Sequence, residues 1–319
     1  MTLLLNEAEV QELLPMDRAL ERVEASFRAL ASGQGINRPR QRILLPRTSL
    51  HYMAAALPEE KFLGIKIYTA APGRALRFVV LLYSSETGAL LSMIEADQLG
   101  RIRTGAASGV ATKFQARPDA SRMALIGTGR QARTQLEAVA KVRKLTAVRV
   151  FSRDENRRRA FCREMAELLN LEVEPAESAE VATRFGDIVT TATNAPEPVV
   201  RGEWLRAGTH VNAVGANMAN RREVDDSSLA KASVIAVDSI EQAREESGDL
   251  IMGLRGAGRR WEDVVELQEI VAGKRPGRGS AKEITFFKSN GIALWDVAAA
   301  SHVYLEALDK GKGKEFEFL

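Results

Sequence analysis

The stretch from Met123 to Arg153 limits what this chain can fold into more than any other. The apolar run Met123-Ala124-Leu125-Ile126 feeds Gly127-Thr128-Gly129-Arg130-Gln131-Ala132. A helical pattern follows, and a second apolar run, Val148-Arg149-Val150-Phe151, ends in Ser152-Arg153. That succession reads as strand, turn, helix, strand, the order of a dinucleotide-binding unit. In such a unit Gly127 allows the tight turn, Gly129 lets the backbone approach a pyrophosphate, and the small Ala132 lets helix and strand pack closely. The amides of Gly129, Arg130 and Gln131 then face the anion from a helix N-terminus, where negative charge is favoured.

The end of the second strand bears on which nucleotide is bound. Twenty residues beyond Ala132, where NAD-binding proteins commonly carry Asp or Glu for the ribose hydroxyls, the chain has Ser152 followed by Arg153. A carboxylate there repels a 2'-phosphate; a hydroxyl and a guanidinium hold one. One charged hydrogen bond contributes about 1.5–3 kcal/mol, a preference of about ten- to a hundredfold. The expectation is therefore NADPH, with Arg157 near enough to Arg153 to reach the same phosphate. A register shift to Asp154 would turn the preference toward NADH.

Composition excludes several classes. Hydrophobic residues make up 45% and charged residues 27%, as in ordinary globular proteins. The 45 basic and 42 acidic residues are well mixed, so a net charge of +3 does not call for nucleic acid. The single cysteine, Cys162, lies in a helical pattern and reads as a buried small residue. The three histidines have no metal-ligand spacing, so no metal is expected. The first ten residues lack a basic leader, no apolar run reaches membrane-spanning length, and a cytoplasmic location is expected.

Before the nucleotide unit, residues 7–32 read as a helix closed by Gly33. The arginine-rich segment Arg38 to Arg42 precedes short β-like runs at 43–45, 51–56, 62–68, 78–83 and 90–94, separated by Pro and Gly turns, which suggests a meandering sheet. Residues 97–115 read as a helix with a run of small residues, Gly105 to Gly109. Beyond Arg153, strands at 171–173, 187–193, 209–215, 234–238 and 282–288 extend the alternation into a parallel, doubly wound sheet. A C-terminal helix over 292–308 and a frayed tail from Asp309 to Leu319 complete the reading.

With these residues in hand, the chain resembles the ornithine cyclodeaminase/mu-crystallin family over nearly its whole length. The matching pieces are Pro39-Arg40-Gln41-Arg42, Gly64-Ile65-Lys66, Arg103-Thr104-Gly105-Ala106-Ala107, the glycine turn, Asn212 to Asn217, Glu246-Ser247-Gly248-Asp249 and Phe287-Lys288-Ser289-Asn290-Gly291. The resemblance implies an α/β fold with a Rossmann-type domain at 118–292. An α+β substrate and dimerisation domain would comprise 1–117 plus 293–319, in a homodimer. It also implies hydride exchange between a nicotinamide and the α-carbon of an amino or imino acid.

Carried over residue by residue, Arg42 matches the carboxylate-binding arginine, a role a planar guanidinium suits. Arg103 matches a second contact to substrate or cofactor, and Lys66 the active-site lysine. Asn217 stands where cyclodeaminases carry a catalytic Asp, and an amide cannot act as a carboxylate base. Thr104, Thr193, Asn194 and Val214 match positions along the dinucleotide, and Ser289 and Gly291 a turn near the nicotinamide. Glu246 is placed facing the substrate, and Asp249 there or as a helix cap. The Asn217 departure favours a ketimine or imine reductase. An alanine dehydrogenase, an ornithine cyclodeaminase and a non-catalytic NADPH-binding protein stand as alternatives.

Overall fold

The structure, a computed structural model, describes residues 1–317. The first strand, β1 (Thr2–Leu5), is followed by α1 (Glu7–Leu13) and α2 (Met16–Ala31). The single helix expected over 7–32 is thus divided. Pro15 has no N–H to continue α1, and Leu14 before it has left the helical region (φ −122°, ψ 72°). At the start of α1, Asn6 and Glu9 form a reciprocal capping box.

β2 (Ile36–Asn37), β3 (Gln41–Leu44), β4 (Ser49–Leu57), β5 (Phe62–Ala70), β6 (Arg77–Ser84) and β7 (Leu90–Glu95) come next, and α3 (Asp97–Gln115) follows. Strands β4 to β7 form the expected antiparallel meander. The nucleotide stretch gives β8 (Arg122–Ile126), α4 (Ala132–Val142), β9 (Ala147–Phe151), α5 (Glu155–Leu169), β10 (Glu172–Pro175), α6 (Ala179–Phe185), β11 (Ile188–Thr191) and β12 (His210–Ala213). Then come α7 (Asp226–Lys231), β13 (Ala232–Val237), α8 (Ile240–Glu246), α9 (Gly248–Gly253), β14 (Val264–Glu266), α10 (Leu267–Val271), β15 (Ile284–Lys288), α11 (Ala293–Asp309) and β16 (Lys314–Phe316).

Two compact units result: residues 1–106 with 291–319, and residues 107–290. The division falls inside α3 and before Gly291, not after α3 as expected. The second half of α3 is tied to the nucleotide unit, where Thr112 Oγ1 accepts from Asn212 Nδ2 and the Thr112 and Ala116 carbonyls accept from Arg143.

The first unit holds an eight-stranded mixed sheet in the order β16-β1-β7-β6-β5-β4-β2, with β3 also on β4. Helix α11 packs across β4 and β5, and also meets α2. Gly64 permits this approach: a β-carbon there would lie 2.8 Å from the Leu81 carbonyl and 3.1 Å from Val297. The tail is not frayed where described, because β16 pairs antiparallel with β1. Phe318 and Leu319 lie outside the described residues.

The second unit is a parallel eight-stranded sheet, order β10-β9-β8-β11-β12-β15-β13-β14. Its central strands β8, β11, β12 and β15 are buried along most or all of their length, as parallel strands covered on both faces must be. This is the Rossmann-type, doubly wound domain expected.

Candidate active site

The glycine turn leaves β8 with Gly127 at φ +111°, a left-handed backbone that disfavours a side chain. A β-carbon there would also come 2.4 Å from the Ala192 carbonyl, so β11 leaves no room for one. At Gly129 the nearest atom would be that carbonyl at 4.0 Å, which leaves space for a ligand to approach the backbone. Ala132 is fully buried against Leu125 and Leu136 at the start of α4. The residues present therefore fit a dinucleotide pyrophosphate.

Beside the turn, Thr128 Oγ1 donates to Ser152 Oγ at 3.0 Å, so the turn and the end of β9 are linked. Ser152 directly follows the last strand residue. Asp154 caps α5 by accepting from the Arg157 amide. Arg153 is exposed, and Arg157 is 82% exposed and pairs with Asp154 at 3.5 Å. Arg158, not singled out from the sequence, donates to the Ser152 carbonyl at 2.6 Å and lies over the Phe151 ring.

Two strand-end loops of this unit are held by a residue the sequence reading missed. Glu223 is fully buried and accepts from Thr193 N and Oγ1, each at 2.7 Å, from Thr191 Oγ1 at 2.9 Å and from Gly215 N at 2.6 Å. Burial pushes its carboxyl up from the ordinary range, and Asp249 adds to the rise while Lys288 opposes it. Asp249 in turn accepts from the amides of Glu223 and Val224 and pairs with Lys288 at 3.0 Å, both side chains being fully buried. Asp249 thus lies inside the first turn of α9 and braces the Glu223 segment; it is not the cap of that helix.

Glu246 is buried and accepts from Gln242 Nε2. Val214 is buried, Asn194 and Asn217 are exposed, and Asn217 lies on the loop after β12. Ser289 Oγ and the Asn290 amide both donate to Asp238 Oδ2, fixing the turn after β15. Under the sheet, His210 is fully buried between Thr285 and Asn212, and burial lowers it to about 3, so the ring is neutral.

The first unit carries the other cluster. On β5, alternation puts Phe62, Gly64 and Lys66 on the buried face, so a charge occupies a core position. Its Nζ donates to Asp296 Oδ1 at 2.8 Å, and Arg103 Nε donates to the same oxygen at 2.9 Å. Arg103 also covers the Trp295 ring, 5.5 Å from its centroid. Burial lowers Lys66 to about 8; Asp296 opposes this, while Arg103 and Arg40 add to it.

Arg40 is buried and donates to the Gly291 carbonyl, and Gly291 (φ +81°) lies against Arg103, whose Nη1 would be 2.7 Å from a β-carbon there. Arg42, two residues on, is half-buried on β3 opposite His51. Thr104 donates to the Gly100 carbonyl within α3. The structure therefore brings Lys66, Arg103 and Gly291 together, and adds Arg40 and Asp296. Asp296 was legible as the one charge in the apolar run Ala293 to Ala300, a signal the motif reading passed over.

Among the described residues, no group of three or more His, Cys, Asp or Glu is arranged to hold a metal ion, and no helix is long and apolar enough to cross a membrane.

A Rossmann-type sheet with a pyrophosphate-fitting turn in one unit, and in the other a lysine and an arginine buried on one carboxylate, define a two-unit dinucleotide-binding protein. Residues 1–311 match the profile of the Ornithine cyclodeaminase/mu-crystallin family, and the chain belongs to that family. It is 33% identical to a Delta(1)-pyrroline-2-carboxylate reductase of Bacillus cereus over 99% of this chain and 100% of the relative. The structure of Thermococcus litoralis Delta(1)-pyrroline-2-carboxylate reductase in complex with NADH and L-proline superposes with a TM-score of 0.95 at 37% identity, covering 99% of this chain and 100% of that one. An archaeal alanine dehydrogenase dimer with bound NAD gives 0.94 at 35% identity over 100% and 99% of the two chains.

Proposed function

We propose that this protein reduces the C=N bond of cyclic or linear α-imino acids with NAD(P)H. The observation that carries this reading is Lys66, a buried ammonium lowered to about 8, set among guanidinium groups on the face of β5 that packs under α11. Bound NAD(P)H supplies the hydride that goes to the α-carbon. The chain supplies the rest. Guanidinium groups, Arg42 by its match to the family and Arg103 by its place beside Lys66, hold the substrate carboxylate. Lys66 gives its proton to the nitrogen as the C=N bond becomes CH–NH, so hydride and proton together account for the two hydrogens gained. Because the ammonium donates only while protonated, activity falls as pH rises through about 8. Asn217, an exposed amide, offers no carboxylate base for cyclisation.

Within this reading the cofactor is NADPH in preference to NADH. Ser152 and the exposed Arg153 stand at the end of β9, and Asp154 is engaged in capping α5. The two nucleotide-bound relatives described above carry NADH and NAD, so Michaelis constants for both cofactors are the deciding measurement. A second reading, an alanine-type dehydrogenase, is favoured by the similarity to the archaeal enzyme. The protein is further proposed to be a homodimer, supported by that enzyme's dimer and by the exposed apolar row Ile43, Leu44 and Leu45 at and just beyond β3.

The test follows NADPH and NADH absorbance with pyrroline-2-carboxylate, piperideine-2-carboxylate, and pyruvate plus ammonia. Fast loss with a cyclic imine, and loss of turnover in Lys66→Ala with cofactor binding intact, is the expected result. Sustained turnover with pyruvate and ammonia alone would replace it with the dehydrogenase reading, and ammonia release from ornithine would overturn both.

A further inference from the structure

Asp296 is the fourth residue of α11 and follows Trp295, which is itself fixed by an edge-on contact with Phe27 (5.4 Å) and by the Arg103 guanidinium above it. Its side chain is fully buried. One oxygen, Oδ1, takes both Lys66 Nζ and Arg103 Nε, and the other, Oδ2, has no hydrogen-bond partner among the described residues. Burying a carboxylate is unfavourable unless it is paired, so the helix carries this charge at a cost that only the two cations offset. The arrangement is also one-sided. Two guanidinium groups, Arg103 from α3 and Arg40 from the segment before β3, act on Lys66 of β5 in one sense, and Asp296 from α11 acts on it in the other. The strand neighbours opposite Lys66 are Met53 and Val80, neither charged, and the nearest ring is that of Phe78 at 5.1 Å.

We infer that Asp296 is the positioning residue of the substrate half of the site: by taking Lys66 and Arg103 on a single oxygen, it holds the proton-donating ammonium at a fixed separation from the guanidinium beside it. The role in proton donation rests on the function proposed above; the pairing itself does not. Two consequences follow. Without the carboxylate, burial, Arg103 and Arg40 all push Lys66 the same way, toward the neutral amine. And Lys66 and Arg103, no longer drawn to one point, separate, so that substrate geometry suffers while cofactor binding in the other unit does not.

The experiment compares wild type with Asp296→Asn and Asp296→Glu. In protein labelled with 13C-lysine, the Cε resonance of Lys66, assigned with Lys66→Arg, should titrate near 8 in wild type and about one unit or more lower in Asp296→Asn. With a cyclic imine, Asp296→Asn should lower kcat at neutral pH about tenfold and move the alkaline limb downward, with KM for the cofactor unchanged; Asp296→Glu should restore part of the loss. An unmoved Lys66 titration and an unmoved alkaline limb in folded Asp296→Asn would overturn the proposal. If that variant does not fold, Lys66→Met serves. The Asp296 carboxyl resonance must then move, and an unchanged one overturns the pairing. The spectroscopic arm needs no turnover, so a wild type inactive on every imine with the expected Lys66 shift would sink the functional reading alone.

Discussion

Glu223 shows how one buried carboxylate can hold two strand-end loops. Its two oxygens are shared among donors from the end of β11 and the loop after β12, and each backbone N–H it satisfies would otherwise be a buried donor without a partner. Glu223→Gln keeps the shape but turns an NH2 toward those donors. It should raise the Kd for NADPH about tenfold or more, at the scale of one or two buried hydrogen bonds of about 1–3 kcal/mol, while leaving the first unit's chemistry intact. Fluorescence titration of the cofactor checks this. An unchanged Kd would mean that the two loops hold their form without the carboxylate. From the residue types alone Glu223 was invisible, sitting in Arg221-Arg222-Glu223 where a charge run reads as solvated surface. Lys288 stood inside a quoted motif, yet its part in bracing Asp249 depends on strands β12, β13 and β15 lying side by side.

At the scale of elements, the turn from β8 to α4 has no room for a side chain at Gly127. Gly127→Ala combines a left-handed φ with a β-carbon 2.4 Å from the Ala192 carbonyl, so β11 or the turn must move. We expect cofactor binding to be lost and the thermal midpoint to fall by several degrees, a loss of about 1–3 kcal/mol; calorimetry with and without NADPH measures both. Gly129→Ala, with open space before it, should leave the midpoint near wild type and weaken cofactor binding alone. These elements were legible because their signals are local: an apolar run, a glycine turn, a helical period. β1 and β16 were not, since Leu3 pairs with Ser92 on one side and Glu315 on the other, and such distant pairing leaves no periodic trace in so short a run. The break between α1 and α2 was legible in Pro15 and was passed over for the continuous apolar face.

For the whole molecule, the prediction concerns assembly. Ile43, Leu44 and Leu45 are 52%, 72% and 60% exposed, a row of large apolar side chains facing solvent in the single chain. Sedimentation should give a dimer for the wild type and a monomer for Ile43→Arg combined with Leu45→Arg. A wild-type monomer would remove the homodimer proposal.

The amino-acid order by itself determined the nucleotide unit, the meander and the family, because hydrophobic period, glycine turns and spaced motifs are written along the chain. Only the tertiary structure decided which charges meet. Asp296 and Lys66 are 230 residues apart, as are no two members of any motif quoted for the site, and Lys288 joins Asp249 and the loops across three strands. Long-range pairing of buried charges is set by how helices and strands pack, and the cost of burying an unpaired one makes those partners obligatory once the fold has formed.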